Sequence, residues 1–286
     1  MSNLLEAIYN ISNLIDLTVQ DITFGNNRAN NVGEGLETFV KDAFANTFSE
    51  EDKAKRLEAY AAVYSYQGSK RNPPDLMLRG GDAIEVKKTE SLTTELQLNS
   101  SPPKAKLFAN SSLITEHCKK CEDWAVKDFI YVIGHLPKKS KNKLSSLWFI
   151  DGSLYAADET VYTALKENLT TNIEAIPNVD FSPTNEIGRV NGVDPLKITN
   201  LRIRGMWLLH SPYKVFDYVH GYSPEEKFQC IALIPSEKYD SFPQESRTKV
   251  ETSEKIKLTT VKVQNPNNPV HLMDCKLIKY TIGSTV

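Results

Sequence analysis

Leu4, Leu5, Ile8, Ile11, Leu14 and Ile15 recur at helical spacing through LLEAIYNISNLI, which predicts an amphipathic helix over residues 2–18. The Asn- and Gly-rich stretch FGNNRANNVGEG at 24–35 reads as a loop. Behind it, Leu36, Phe39, Val40, Ala43 and Phe44 share one face of GLETFVKDAFANTF, a second helix. A charged helix at 51–62 leads into AVYSYQ, which predicts a strand, and a strand-turn-strand pattern follows at 73–88. NSSPPK at 99–104 breaks the chain before a helix expected around 111–125. DFIYVIGHL at 128–136 is a continuous apolar run, the mark of a strand buried on both faces. SLWFIDGSLYAAD predicts a strand pair, DETVYTALKENLTTNIEAI a helix, and residues 186–209 turns followed by a strand. FQCIALIP, IKLTTVKVQ and KLIKYTI continue the mixture. The expected fold class is α/β, a mixed central sheet flanked by helices. No shift in composition marks a boundary, so a single domain over 1–286 is expected.

Composition narrows the function classes. A chain of 286 residues with 40% hydrophobic content can bury a sizeable core. No apolar run approaches the roughly 18 residues of a membrane span, and the N-terminus lacks a signal-peptide pattern, so a cytoplasmic location is expected. A net charge of −2 argues against binding polyanions through bulk charge, but basic residues cluster in KKTE (87–90), KKSKNK (138–143) and LRIRG (201–205). KKSKNK reads as a polar loop. Cys118 and Cys121 form one CxxC, whereas structural zinc needs about four ligands, so reduced, half-buried thiols are the expectation.

The candidate chemistry lies in PPDLMLRGGDAIEVKK at 73–88. Two prolines hold the chain extended ahead of Asp75, and paired glycines permit the positive φ of a turn. On the return strand Glu85 and Lys87 share one face, while Ile84 and Val86 point to the other. Whether Asp75 joins them depends on the turn. A two-residue Gly-Gly turn puts Asp75 opposite Val86, on the wrong face. A three-residue loop, Arg79–Gly81, or a bulge puts it opposite Glu85. Two convergent carboxylates would suit Mg²⁺, and a lysine on the same face would orient or help deprotonate an attacking water and offset developing charge. The pattern alone is weakly specific, because exposed charges on an ordinary hairpin look the same. Asp82 is the rival ligand and also a natural turn residue. Lys88, on the opposite face, suits a phosphate contact or a solvated edge. Glu37 falls on the apolar stripe of the second helix, where a carboxylate is costly unless it is paired or metal-bound. It is therefore a candidate site acid, or one half of a salt bridge at the stripe's edge.

Glu37 on a helix, Pro74-Asp75 on a strand and Glu85-Val86-Lys87 on the next resemble the PD-(D/E)xK nuclease superfamily. More closely, the chain resembles the NgoPII family of type II restriction endonucleases. The resemblance is carried by NNRANNVGEGLETFVKDAFA, NPPDLMLRGGDAIEVKKTES with LQLNSSPPK, CKKCEDWAVKDFIYVIG and GRVNGVDPLKITNLRIRGMW, which together span about two-thirds of the chain. It implies a restriction-endonuclease-like core over about 33–136 and a sheet-completing, DNA-recognising region over 186–286. It further implies a homodimer that cleaves a short palindrome in double-stranded DNA, plausibly GGCC, with Mg²⁺ and leaves 5′-phosphates. A cognate methyltransferase would act on the same site. By analogy Asp75 and Glu85 would bind metal and Lys87 would be catalytic, with Glu37 on the helix a candidate further acid of the site.

DNA contacts are expected elsewhere. Arg202 and Arg204 lie on one face of a strand pattern and can each meet guanine bidentately, unless they merely line a solvent edge. Arg28 and Asn30 in the Asn-rich stretch, with Lys88, Asn99 and Lys104 around the hairpin, suit backbone contacts. The rival functions are a repair or junction nuclease with the same site, and a non-catalytic DNA-binding module.

Overall fold

A computed structural model describes residues 2–14, 16–19, 28–69, 72–139 and 142–283, excepting the side chains of 28–33 and 69. Asn3 caps α1 (Leu4–Ser12) by accepting from the N–H groups of Leu5 and Glu6. This helix is shorter than the 2–18 expected. Asn13 closes it, and the Asp16 carboxylate accepts from the backbone and hydroxyl of Thr18, a local turn that competes with helix. Ile15 lies outside the described residues. α2 (Arg28–Ala45) begins inside the stretch read as a loop. Once the apolar face of Leu36–Phe44 fixes a helix, adding turns at its start needs no new nucleus, so polar residues of modest propensity join it.

Asp52 caps α3 (Lys53–Val63), which runs straight into β1 (Tyr64–Ser69). Then come β2 (Asn72–Leu78), β3 (Ala83–Thr89), β4 (Leu96–Gln97) and β5 (Lys106–Phe108). The helix expected over 111–125 is a single turn, α4 (Glu116–Lys119). It goes no further: the Cys118 carbonyl, which in a continuing helix would accept the Glu122 N–H, takes the Trp124 indole N–H and the Cys121 thiol instead. β6 (Val126–His135) and β7 (Ser146–Asp151) follow. The expected strand pair at 146–158 is β7 plus a short helix, α5 (Gly152–Tyr155), because Asp151 ends the strand and caps the helix through the Ser153 N–H. The 158–176 helix is α6 (Glu159–Glu174).

A three-stranded sheet of β8 (Asp180–Pro183), β9 (Gly188–Asn191) and β10 (Leu201–Ile203) stands apart, where one strand was expected. The chain returns through β11 (Leu208–Leu209), which pairs with β4, and α7 (Pro212–Val215). β12 (Glu226–Pro235), α8 (Ser236–Ser241), α9 (Gln244–Glu251), β13 (Ile256–Asn265) and β14 (Asn268–Gly283) complete it.

Among the described residues nine strands join one mixed sheet, in the order β1-β2-β3-β6-β7-β12-β14-β13 with β5 beside the start of β6. The β3–β6 and β7–β12 pairs are parallel and the others antiparallel. Helices cover both faces. Leu5, Ile8, Leu36, Val40 and Phe44 of α1 and α2 pack with Ile84, Val86 and Val132 on one side. Cys118, Leu154, Tyr155 and Phe216 pack with Ala83, Tyr131 and Trp148 on the other. This is an α/β fold with a large central sheet, and strand alternation decides what each face of β3 meets. Ile84 and Val86 enter the α1–α2 core, so Glu85 and Lys87 must face the opposite way.

Candidate active site

β2 and β3 pair with Leu76 opposite Ile84 and Met77 opposite Ala83. The Leu78 N–H donates to the Asp82 carbonyl at 2.9 Å and the Gly81 N–H donates to the Leu78 carbonyl at 3.0 Å, so the loop between the strands is Arg79, Gly80 and Gly81. Gly80 carries the positive φ, 65°, that such a turn requires. Extending the register by one pair sets Asp75 opposite Glu85. The two carboxylates and Lys87 therefore lie on the same side of the sheet.

Buried groups fix this odd-length turn. Lys127 Nζ donates to the carbonyls of Leu78 (3.2 Å) and Gly81 (2.7 Å) and pairs with Glu122, whose other oxygen accepts from the Gly80 N–H at 2.9 Å. Lys238 on α8 lies 2.7 Å from Asp82. Arg79 donates its backbone N–H to Val63 and its guanidinium to Ala61 and Tyr64. On the other side of β2 the chain is pressed against Gly68, where a Cβ would sit 2.5 Å from the Pro74 carbonyl and 2.6 Å from that of Asp75. Only glycine lets β1 run this close to the strand that presents Asp75.

Within the site, Asp75 Oδ2 accepts from the Val86 N–H at 2.7 Å, which draws the carboxylate onto β3. Glu85 Oε1 accepts from Lys87 Nζ at 2.6 Å, while Glu85 Oε2 is buried without a hydrogen-bond partner. Loss of water, then the neighbouring charge of Glu85, pushes the Asp75 carboxyl well above the usual carboxylate range. Burial likewise raises Glu37, which sits half-buried within electrostatic reach of Lys87, Glu85 and Asp75. Burial works to lower Lys87, but Glu85 and Asp75 outweigh it and hold the ammonium in its charged form.

An unpartnered buried carboxylate oxygen, beside a second carboxylate whose charge it raises in energy, is the environment a hard divalent cation relieves. Among the described residues no three His, Cys, Asp or Glu side chains gather tightly enough to cage a metal. Two carboxylates alone suit Mg²⁺, which keeps several waters and takes phosphate oxygens as its remaining ligands.

Asp82 is not at this site. It lies at the far end of the strand, buried and paired with Lys238. Lys88 pairs with Glu90 at 3.0 Å on the other face. Lys104 is buried rather than exposed on a DNA-facing loop. With Glu85, Pro73, Ser101 and Tyr131 it lines a small hollow, and burial lowers its basicity. Asn99 is exposed at positive φ, 54°, and its carbonyl accepts from the Trp207 N–H. Arg202 on β10 and Arg204 just beyond it are exposed and converge on Glu186. The backbone of Arg28 and Asn30 is helical in α2, and their side chains lie outside what is described. The Cys118 thiol lies 3.3 Å from the Met77 sulfur and the Cys121 thiol donates to the Cys118 carbonyl.

Sequence reasoning missed Lys127, Lys238 and Glu186. Each is an ordinary charged residue in its own segment and gains its role from partners far along the chain. Near the site, Ser100, Pro102, Tyr162, Glu186 and Trp207 line a cleft of about 560 Å³ between α6 and the small sheet.

The family model for NgoPII restriction endonuclease matches residues 2–264. The type II restriction enzyme NgoPII of Neisseria gonorrhoeae is 42% identical over 278 residues, covering 97% of this chain and 99% of that protein. No solved structure matches the chain.

Proposed function

Because the chain belongs to the NgoPII family of type II restriction endonucleases, site-specific deoxyribonucleases acting on double-stranded DNA, we propose that it hydrolyses duplex DNA at a short palindrome, GGCC, with Mg²⁺ held by Asp75 and Glu85. The single observation that carries this reading is the three-residue turn, which places Asp75 opposite Glu85 on the face that also bears Lys87. The cation supplies a polarised phosphate oxygen and an acidified water.

The chain's own residues do the rest. Asp75 and Glu85 fix where the scissile phosphate sits relative to the sheet. Lys87, kept charged by Glu85 and Asp75, stands against the negative charge that gathers on the phosphoryl oxygens and orients the water. Glu37 adds negative charge at the margin of the site and disposes Lys87 to remain protonated. Attack at phosphorus with departure of the 3′ oxygen leaves 5′-phosphates. Arg202 and Arg204 read base edges, while Arg28, Asn30, Lys88 and Asn99 follow the backbone. Lys104, buried in the hollow beside Glu85, adds positive charge behind the carboxylates rather than touching the DNA backbone. A palindrome is cut by a homodimer, one site per strand, working in the cytoplasm beside a methyltransferase that modifies the same sequence.

The test is digestion of a sequenced plasmid with Mg²⁺, followed by sequencing of the fragment ends. A discrete set of fragments ending in GGCC with 5′-phosphates is expected. Random ends, or cutting only at branched DNA, would refute the reading. Lys87→Ala should slow cleavage by about a thousandfold or more, the scale of losing one transition-state charge contact, while specific binding survives. Cutting at the normal rate by this variant would sink the assigned role.

A further inference from the structure

Glu186, in the turn between β8 and β9, holds both arginines of the LRIRG segment. Its Oε2 accepts from Arg204 Nε at 2.8 Å and its Oε1 accepts from Arg204 Nη2 at 2.9 Å. Arg202 Nη2 stands 3.6 Å from Oε1. A third donor, the Ser100 hydroxyl, reaches Oε1 at 3.0 Å. The Glu186 side chain is 12% exposed, whereas those of Arg202 and Arg204 are 59% and 62% exposed. The carboxylate is thus anchored inside and the guanidiniums are presented outside.

The edge of Arg204 that Glu186 occupies decides what remains available. A guanidinium offers a side edge, Nε with Nη2, and an end edge, Nη1 with Nη2. Glu186 takes the side edge in a fork, and among the described residues no other group bonds the end edge of this side chain, which is 62% exposed. That end edge is the pair of donors whose spacing matches O6 and N7 of guanine in the major groove. An unsupported arginine loses substantial rotamer freedom on docking, and it can meet a phosphate as readily as a base. One clamped by a partly covered carboxylate has its plane set beforehand. The Arg204 hydrogen bonds, ahead of the other influences, push the Glu186 carboxyl down to about 2, so the clamp is ionised throughout the working range.

The clamp also stands beside the nuclease site. Ser100, which it binds, lies four residues before Lys104, and Lys104 shares a hollow with Glu85. Beyond Arg204, the Trp207 N–H donates to the Asn99 carbonyl at 2.8 Å, and the Leu98 N–H donates to the Trp207 carbonyl at 2.9 Å. Arg204 is therefore tied on both sides to the segment leaving the catalytic hairpin.

We propose that Glu186 is a specificity-determining positioning residue, which holds Arg204 by its side edge so that the end edge reads one guanine of the duplex target. The proposal rests on the reading of Arg204 as a base-contacting residue given above, and the experiment separates the two.

Full-length protein carrying Lys87→Ala, which leaves the DNA intact, is titrated with a short duplex bearing the sequence mapped by the plasmid digest. Parallel titrations use duplexes in which each G·C pair is replaced in turn by A·T. Arg204→Ala should lower the preference for the intact sequence at one G·C pair by about tenfold or more, the worth of a bidentate guanine contact. Glu186→Ala should lower it at the same pair. In the Arg204→Ala background it should add nothing further, because its effect passes through that side chain. Glu186→Gln keeps the shape of the side chain and guards against misfolding of the alanine variant. It should lower the preference in the same direction.

If Arg204→Ala lowers the preference but both Glu186 variants stay within about twofold of the parent, the positioning role is wrong and the base-reading role of Arg204 stands. If the Glu186→Ala loss adds in full to that of Arg204→Ala, Glu186 acts by another route and the proposal is overturned. If Arg204→Ala itself leaves every preference unchanged, both readings fall together.

Discussion

Lys238→Met removes the charge that faces the hairpin turn while keeping most of the side-chain volume. Lys238 Nζ lies 2.7 Å from Asp82, 2.7 Å from Asp128 and 3.8 Å from Asp151. These partners do not suffer equally. The Asp128 side chain is 40% exposed and stays hydrated, so its loss is small. Asp151 keeps hydrogen bonds from the backbone and hydroxyl of Ser153. Asp82 is buried and loses its closest counter-charge. Stranding one buried carboxylate costs about 3–5 kcal/mol, and with Lys127 still nearby the lower end, about 3 kcal/mol, is the expected loss at neutral pH. The sign of its pH dependence follows from Asp82, whose carboxyl is already raised by burial with Lys238 acting to lower it. Without Lys238 it rises further. A carboxyl whose folded value lies above its unfolded one is destabilising when ionised, so the variant should recover stability as the pH falls through that raised value. Urea unfolding of variant and parent at neutral pH and at about pH 5 reads both the size and the slope. A loss below about 0.5 kcal/mol at neutral pH, or a loss that does not shrink in acid, would refute the account.

Deleting Met77 with the Arg79–Gly81 loop intact pairs Leu76 with Ala83 and moves Asp75 opposite Ile84, onto the α2 face. Cleavage should vanish at every Mg²⁺ concentration while circular dichroism still shows the folded chain, and a deletion variant that cuts normally would disprove the parity argument. Burial holds the imidazoles of His135 and His220 below their ordinary value of 6.5. The unfolded chain then takes up protons that the folded chain resists, so both groups remove stability as the pH falls from about 6.5 toward their depressed values. Replacing both with Gln should flatten the fall in urea midpoint over that range, and an unchanged slope would show that these imidazoles are not held neutral.

The register question shows where sequence reading stops. PPDLMLRGGDAIEVKK allows either a two- or a three-residue turn, and local pattern cannot choose. The choice is made by Lys127, 46 residues from Gly81, and Lys238, 156 residues from Asp82. Glu186 is similar. Its role is written by Ser100 and Arg204, 86 and 18 residues away. Where the deciding physics is local, the sequence is legible. The apolar run at 128–136 is β6, buried between strands, and the helix expected over 158–176 is α6. Intermediate cases fail by competition. Asp151 reads equally well as a strand residue or a helix cap, and Cys118 loses its helical partner to a tryptophan six positions on.

The bare oxygen of Glu85 makes the resting protein a compromise. A side chain chosen for folding alone would place an apolar group or a neutral amide in the hollow that Tyr131 and Pro73 share with this position. Instead the fold keeps a dehydrated acid with one oxygen idle, and the liability is carried from synthesis onward rather than met afresh at each turnover. On the role proposed for Glu85, residues that raise stability at this position are the ones that would silence the site, and a screen for hardier variants of this chain would drift toward inert ones unless cutting were scored alongside.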